Sequence, residues 1–570
     1  MKRFLYPVLS LTALLGLTLQ AQEPAMPEVP AMPEVPAIAG VPAAARQAAA
    51  SIDPEKIRAH VRFLADDLLE GRGPGTRGGQ LAAEYIATQF ALAGARPAGE
   101  NGTYFQKVPL MAVHTEVEKT SFTVVPSTGT PIHLKYGEEY LTKDQTGAPT
   151  VDIDAPIVFV GYGIDAPEYH WDDYAGVNVK GKILLVIVNQ PPSNDDHFFN
   201  GKALTYYGRW TYKYEEAARR GALGVLIIHR TDLASYGWEV LLNSESTEVS
   251  YLQNDPLSNL RAASWIQIDV ARKLFAAAGR NADQMIEAAG KRGFKAVELP
   301  LRLQAHITSR VRKYESDNVI AMVPGADSSP GGNVLYTAHY DHLGIDPTAA
   351  GDKIFHGAVD NGTGCGIILE MVRAYASAKT PPPRNVYFAS VTAEEQNLLG
   401  SKYLGMHPPE PIGDFTLDLN FDELLPIGVP TSVVANGSER TSFYPAVENT
   451  AAAFGFQIQP DRAPMAGIYY RSDHFSFARV GIPAFSVDAG VKFAGHTAEW
   501  GKAQQDDYTD KRYHRPGDEY SPSMDFSSNA AIAEFGFALG WQALLEKGTV
   551  SWLPGDEFAR FRARQQQPAP

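Results

Sequence analysis

The stretch Asn333-Val334-Leu335-Tyr336-Thr337-Ala338-His339-Tyr340-Asp341 is a short apolar run that ends in a polar cluster. It reads as a buried strand with His339 at its mouth. Strand periodicity sets Asp341 on the same face as His339, where its carboxylate accepts the second ring N–H and fixes the tautomer. His342 is the competing ligand in this segment. Taken alone, a histidine here is as readily a structural hydrogen-bonding group.

Downstream the chain repeats this theme at four further places. Gly357-Ala-Val-Asp-Asn-Gly-Thr-Gly364 is a glycine-rich loop that runs into the helical stretch Ile367–Val372. A carboxylate at such a helix entrance, Asp360, bridges two cations with the helix amino end supporting its charge, although an ordinary N-cap and turn fits the same residues. Val386–Val391 reads as a strand and is followed by Glu394 and Glu395, two adjacent carboxylates that repel unless a cation or proton separates them. A solvated first helical turn is the plain alternative. Phe415–Phe421 alternates as a strand before Asp422, and His514 sits in the turn-rich loop Tyr513–Asp518. The order, rather than any one member, carries the specificity: H-x-D, D-N, E-E, N-x-D and a late Y-H, each but the last beside a strand end or helix entrance. Two histidines and three carboxylates without a thiol suit a pair of Zn²⁺ ions that share a carboxylate and a water, with the remaining glutamate free as a base.

These segments resemble the di-zinc aminopeptidase family of aminopeptidase Y and the secreted bacterial leucine aminopeptidases. Tyr470-Arg-Ser-Asp-His-Phe-Ser-Phe-Ala-Arg-Val-Gly-Ile-Pro483 is similar to the family's S-D-H…G-I-P segment, which lines the substrate cleft. The resemblance implies that His339 and Asp422 hold one zinc, Glu395 and His514 the other, that Asp360 bridges them, and that Glu394 is the base. It implies a cis peptide between Asp360 and Asn361. It matches Tyr469, with Tyr470 beside it in a competing register, to a tyrosine that helps hold the substrate carbonyl. Aminoacylase-like exopeptidases use the same ligand order, but they usually follow the bridging aspartate with a Met-Lys-Gly type segment, unlike Asp360-Asn-Gly-Thr-Gly364.

The expected fold is α/β: a mixed, mostly parallel central sheet flanked by helices, with the metals at the strand carboxyl ends. Asp53-Pro54 opens a helix with Ile57, Val61, Leu64 and Leu68 at helical spacing, and a second runs from Leu81 to Leu92 with Gly94 as its stop. Catalytic strands resume only at Asn318. The interval holds its own strands, Pro156–Val160, Lys182–Val188 and Val225–Ile228, and reads as a smaller α/β unit resembling the protease-associated domain that some members carry, with Trp171-Asp-Asp-Tyr174 and Val179-Lys-Gly-Lys182 as its nearest likeness. The expected segments are a signal peptide over 1–21, a Pro/Ala-rich disordered tether over 22–50, catalytic helices over 51–115, the protease-associated insertion over 116–306, the peptidase domain over 307–550 and a tail over 551–570.

The chain has 570 residues, 44% of them hydrophobic, enough to bury a sizeable core in two domains. Lys2 and Arg3 precede an apolar stretch, Phe4 to Leu19, too short to span a bilayer readily, and small-residue cleavage follows at Ala21. This reads as a secretory signal, hence a periplasmic or secreted bacterial enzyme without stable membrane association after cleavage. The formal charge of −15 argues against nucleic acid as a partner. The single cysteine, Cys365, cannot form an internal disulfide and reads as a small buried hydrophobe. Together these give a zinc exopeptidase, foremost an aminopeptidase acting on peptides, with two Zn²⁺ per chain. A carboxypeptidase, a glutaminyl-cyclase-like enzyme and a non-catalytic binding protein on the same scaffold are the alternatives, and the oligomeric state is left open.

Overall fold

The computed structural model describes residues 35–565 apart from 235, 246, 247 and 328–330. The expected signal peptide and the first part of the expected tether lie outside the described residues. The rest of the tether departs from an extended chain: helix α1 spans Ala43–Ala49 and buries Ala45 and Ala49. Alanine has the highest helix propensity, and packing against the catalytic helices supplies what seven residues cannot supply alone.

Helix α2, Pro54–Leu64, starts where the sequence predicts. Asp53 caps it by accepting the Glu55 N–H, proline takes the first position, and Ile57, Val61 and Leu64 are fully buried. Helix α3, Arg77–Ala93, ends at Gly94 in the left-handed conformation.

Two sheets follow. In chain order their main strands are β1 Phe105–Thr115, β2 Thr150–Phe159, β3 Ile183–Ile187, β4 Gly224–His229, β5 Ala262–Gln267, β6 Val297–Val323, β7 Asn333–His339, β8 Val386–Val391, β9 Phe415–Asn420, β10 Ser432–Asn436 and β11 Ala484–Ala489. The strands β5, β4, β3 and β2 lie side by side and parallel. In the other sheet β8, β7, β9 and β11 are parallel, with antiparallel β6 beyond β8 and antiparallel β10 beyond β11. This is the expected mixed α/β arrangement with a parallel centre. Strands β7, β8 and β9 are buried at every residue, as parallel strands covered by helices on both faces must be.

The sequence places a boundary at 306/307, and β6 runs across it unbroken. Its first half alternates buried and exposed residues and pairs with β2 as far as Thr308; from Ser309 it pairs with β1. No residue is left between the two ladders. The expected tail is likewise part of the packed structure: Trp552 and Phe558 are buried, and Glu557 accepts from Arg440 at 2.8 Å.

Helix α4, Gly364–Ser377, and helix α5, Ser527–Leu545, cover the parallel centre. Helix α5 is buried on nearly all sides, so its glycines are contact points rather than hinges. A Cβ on Gly540 would lie 1.7 Å from the Tyr336 hydroxyl, which donates or accepts within a buried network with Tyr375 and the Gly536 carbonyl. Gly540→Ala is expected to destabilise the fold by about 1–3 kcal/mol, seen as a lower urea midpoint. Gly548→Ala, where an added Cβ meets nothing within 4 Å, should leave the midpoint unchanged.

Candidate metal centre

The parallel strands deliver their ends to one place. His339 is the last residue of β7, Glu394 and Glu395 follow β8, Asp422 follows β9, and Asp360 lies in the turn that enters α4. His339 Nε2 is 3.1 Å from Asp422 Oδ1 and 3.3 Å from Asp360 Oδ1. On the other side of the same carboxylate, His514 Nε2 is 3.2 Å from Asp360 Oδ2 and 3.1 Å from Glu395 Oε2. Asp360 therefore stands between two His–carboxylate pairs, one oxygen towards each. Glu394 approaches the first pair, with Oε2 4.0 Å from His339 Nε2.

Neighbouring groups hold Asp360 in this position. The peptide between Asp360 and Asn361 is cis. The Asp518 carboxylate accepts the Val359 and Asp360 N–H groups at 3.1 and 3.0 Å, and Asn361 donates to the Phe421 carbonyl at 2.9 Å. Arg72 is fully buried and binds no acid. Its guanidinium donates to the carbonyls of Tyr340, His356 and Gly357 at 2.7, 2.6 and 2.8 Å and to that of Leu64, tying the loop after β7 to the loop before Asp360. Several non-glycine residues around the site adopt left-handed backbone, among them Arg72 (φ 52°), Ala393 (φ 54°), Glu423 (φ 54°) and His514 (φ 53°). Such residues cost on the order of 1–3 kcal/mol each and persist where surrounding structure over-determines them.

The electrostatics follow from crowding. Glu394 is pushed well above the ordinary carboxyl range by burial, and then by Asp422 and Glu395, with His339 opposing. Burial acts on Asp360 in the same direction but is outweighed by His339, His342 and His514, so its pKa falls well below the ordinary value. His514 rises to about 10 despite burial because Asp360 and Glu395 face it. Five carboxylates (Asp360, Glu394, Glu395, Asp422, Glu423) meet three histidines here, an excess of negative charge that suits divalent cations. Ligand atoms of His339, Glu394 and Asp422, and of His342, Asp360 and Glu395, fall into groups whose members lie within 4.8 Å of one another. The donors are all imidazole and oxygen, which fits zinc.

Several expectations change in detail. The partner of His339 Nδ1 is the Asp341 backbone carbonyl at 3.1 Å; the Asp341 carboxylate is 3.8 Å away and accepts the Glu394 N–H at 3.1 Å instead. The chain turns directly after β7, which brings the carbonyl of Asp341 nearer than its side chain. The Tyr469 hydroxyl donates to the Ala484 carbonyl at 2.9 Å, and its ring packs 4.8 Å from the Arg440 guanidinium. It belongs to a buried Arg440–Glu557 cluster, and the Tyr470 hydroxyl donates to Glu557 at 2.7 Å, so both hydroxyls are engaged within the chain. His342, the competing ligand, does reach the second pair, 2.6 Å from Glu395 Oε1, and its Nε2 is buried without a partner.

Glu423, Asp518 and Arg72 were not legible beforehand. Glu423 is marked only by adjacency to Asp422, and Asp518 by lying four residues after His514. Arg72 sits in a glycine-rich turn that carries no chemical signature. Cys365 is buried as expected, its thiol directed at the His339 carbonyl and pushed up to about 11 by burial.

Beside the centre lies a cavity of about 240 Å³, lined by Glu394, Glu395 and His514 together with Arg209, Trp210 and Lys143. Among the described residues no helix is long and apolar enough to cross a membrane.

Residues 318–537 match peptidase family M28. "Leupeptin-inactivating enzyme 1" of Streptomyces exfoliatus is 27% identical over 212 residues, 36% of this chain and 44% of that protein. "Aminopeptidase YwaD" of Bacillus subtilis strain 168 is 34% identical over 95 residues, 17% of this chain and 18% of that protein. The chain thus spans less than half the length of the curated relatives it matches. The solved aminopeptidase from Aneurinibacillus sp. strain AM-1 aligns with 88% of this chain and 96% of its own at a TM-score of 0.46 and 18% identity. The histidines and carboxylates of the centre all lie within the residues that match peptidase family M28, in keeping with the resemblance their motifs carry.

Proposed function

We propose that this protein is a secreted two-zinc aminopeptidase that removes N-terminal residues from peptides. The observation that carries the reading is the double facing of Asp360, with one oxygen towards the His339–Asp422 pair and the other towards His514–Glu395. Asp360 would be shared between two zinc ions, His339 and Asp422 completing one set and Glu395 and His514 the other, with His342 also within reach of the second set. Bound zinc would polarise the scissile carbonyl and lower the pKa of the attacking water. Residues 116–306 are read as a protease-associated insertion whose face forms one wall of the cleft, and 307–550 with 51–115 as the peptidase domain.

Glu394 is the base of this proposal. Burial and the neighbouring carboxylates raise its proton affinity, which suits a group that must accept a proton from water and return it to the leaving amine. The Asp341 carboxylate helps by fixing the Glu394 backbone through its N–H, and Ser472 donates to Asp422 at 2.5 Å, orienting that carboxylate. Arg72 and Asp518 keep Asp360 between its two partners.

Two measurements test this. Elemental analysis of active protein should give about two zinc ions per chain, with hydrolysis of leucine p-nitroanilide abolished by chelation and restored by zinc; active protein without stoichiometric transition metal removes the reading. Glu394→Gln should keep the metal content and lower kcat by roughly 10²–10⁴-fold. Near-normal turnover in that variant would exclude Glu394 as the base.

A further inference from the structure

The cleft beside the metal centre has a second, basic pole. Arg209 immediately precedes the helix Trp210–Arg219, occupies its N-cap position and makes no capping hydrogen bond. No acidic residue stands in the first turn of that helix, so its positive end is not offset by the usual aspartate or glutamate. The Arg209 Nε is shut off from solvent and has no hydrogen-bond partner. Its guanidinium is pushed down to about 10, first by burial and then by the like charge of Arg471. Both arginines line the cavity together with Glu394, Glu395 and His514.

Two other cations of the cavity wall have acidic partners. Arg479 pairs with Glu215 at 2.9 Å, and Lys402 pairs with Asp255. For Arg209 and Arg471 no acidic partner stands among the described residues. Arg209 is half-buried with its Nε enclosed and Arg471 is exposed, so the cavity wall carries positive charge that no neighbouring acid offsets. Two arginines without acidic partners in one cavity wall, one of them at a helix N-cap, suit a carboxylate through the guanidinium fork.

We propose that Arg209 and Arg471 bind a carboxylate of the substrate, giving the enzyme a preference for peptides that carry a negative charge within a few residues of the scissile bond. This deepens the peptidase reading and rests on it. The cavity, about 240 Å³, is below the roughly 300–1,000 Å³ of pockets that hold drug-sized ligands, so the charge must lie close to the metal-binding pole. The amino end of the peptide faces the acidic centre and its carboxylate faces the arginines. The carboxylate comes either from the C-terminus of a di- or tripeptide or from an acidic side chain after the cleaved residue. The inserted sheet's layer supplies Arg209 and the peptidase segment supplies Arg471.

The test uses the full, zinc-loaded protein and two matched pairs: Leu-Gly against Leu-Gly-amide, and Leu-Glu-amide against Leu-Gln-amide. At least one pair should show a tenfold or greater kcat/KM advantage for the carboxylate member. The first pair identifies the terminal carboxylate as the source, the second an acidic side chain. In Arg209→Gln and Arg471→Gln the advantage should fall below about threefold, and Arg209→Lys should retain part of it. Arg471 is exposed, so its variant keeps the proposal testable even if Arg209→Gln folds poorly. Equal rates within both pairs, or an advantage unchanged in Arg471→Gln, would overturn the proposal. Calorimetric binding of the same peptides separates this idea from the peptidase reading. If nothing is cleaved, tighter binding of the carboxylate members that is lost in Arg471→Gln still supports the receptor, and equal binding refutes it.

Discussion

The arrangement depends on one electrostatic constraint: five carboxylates brought close together at the ends of buried strands, with only three imidazoles of the chain beside them. Such a cluster is self-repelling, so the fold must hold it from outside. It does so with backbone rather than with counter-ions. Asp518 binds the N–H groups that position Asp360, and Arg72 joins four carbonyls from three loops while touching no acid. Among the described residues no lysine or arginine pairs with any of the five, which leaves their oxygens to the imidazoles and to cations. The left-handed residues at Ala393, Glu423 and His514 belong to the same scheme, since each turns the chain sharply enough to aim a side chain inward.

Much of this was legible because strand ends are easy to read. Asn333–His339, Val386–Val391 and Phe415–Asn420 are apolar runs of strand length, and polar residues that interrupt them must lie at the mouth. Once three such mouths carry histidine and carboxylates, a parallel sheet brings them together without further information. The helix beginning at Pro54 was equally plain from Asp53-Pro54 and its periodicity.

What stayed hidden depends on contacts distant in sequence. Tyr469 carries a motif position, but its hydroxyl is taken by Ala484 and its ring by Arg440, and no local pattern announces the buried Arg440–Glu557 pair. Asp341 has the right spacing for its carboxylate to meet His339, yet the turn after the strand brings its carbonyl closer. The continuity of the chain across 306/307 was hidden as well. The sequence reading has catalytic strands resume at Asn318, whereas Asn318 lies within one strand, Val297–Val323, that passes from a half-exposed sheet to an enclosed one.

That strand also bears on how length is measured. Its two ladders meet between Thr308 and Ser309 with no unpaired residue, so the layer that supplies Arg209 and the sheet that supplies the metal-binding ends are parts of one hydrogen-bonded ribbon. A change in the angle between the two would have to pass through the backbone of this one continuous strand. On the proposed reading, the separation of the metal-binding strand ends from Arg209 then sets which peptides fit, and the stiffness of a pleated strand sets the tolerance for longer or shorter ones.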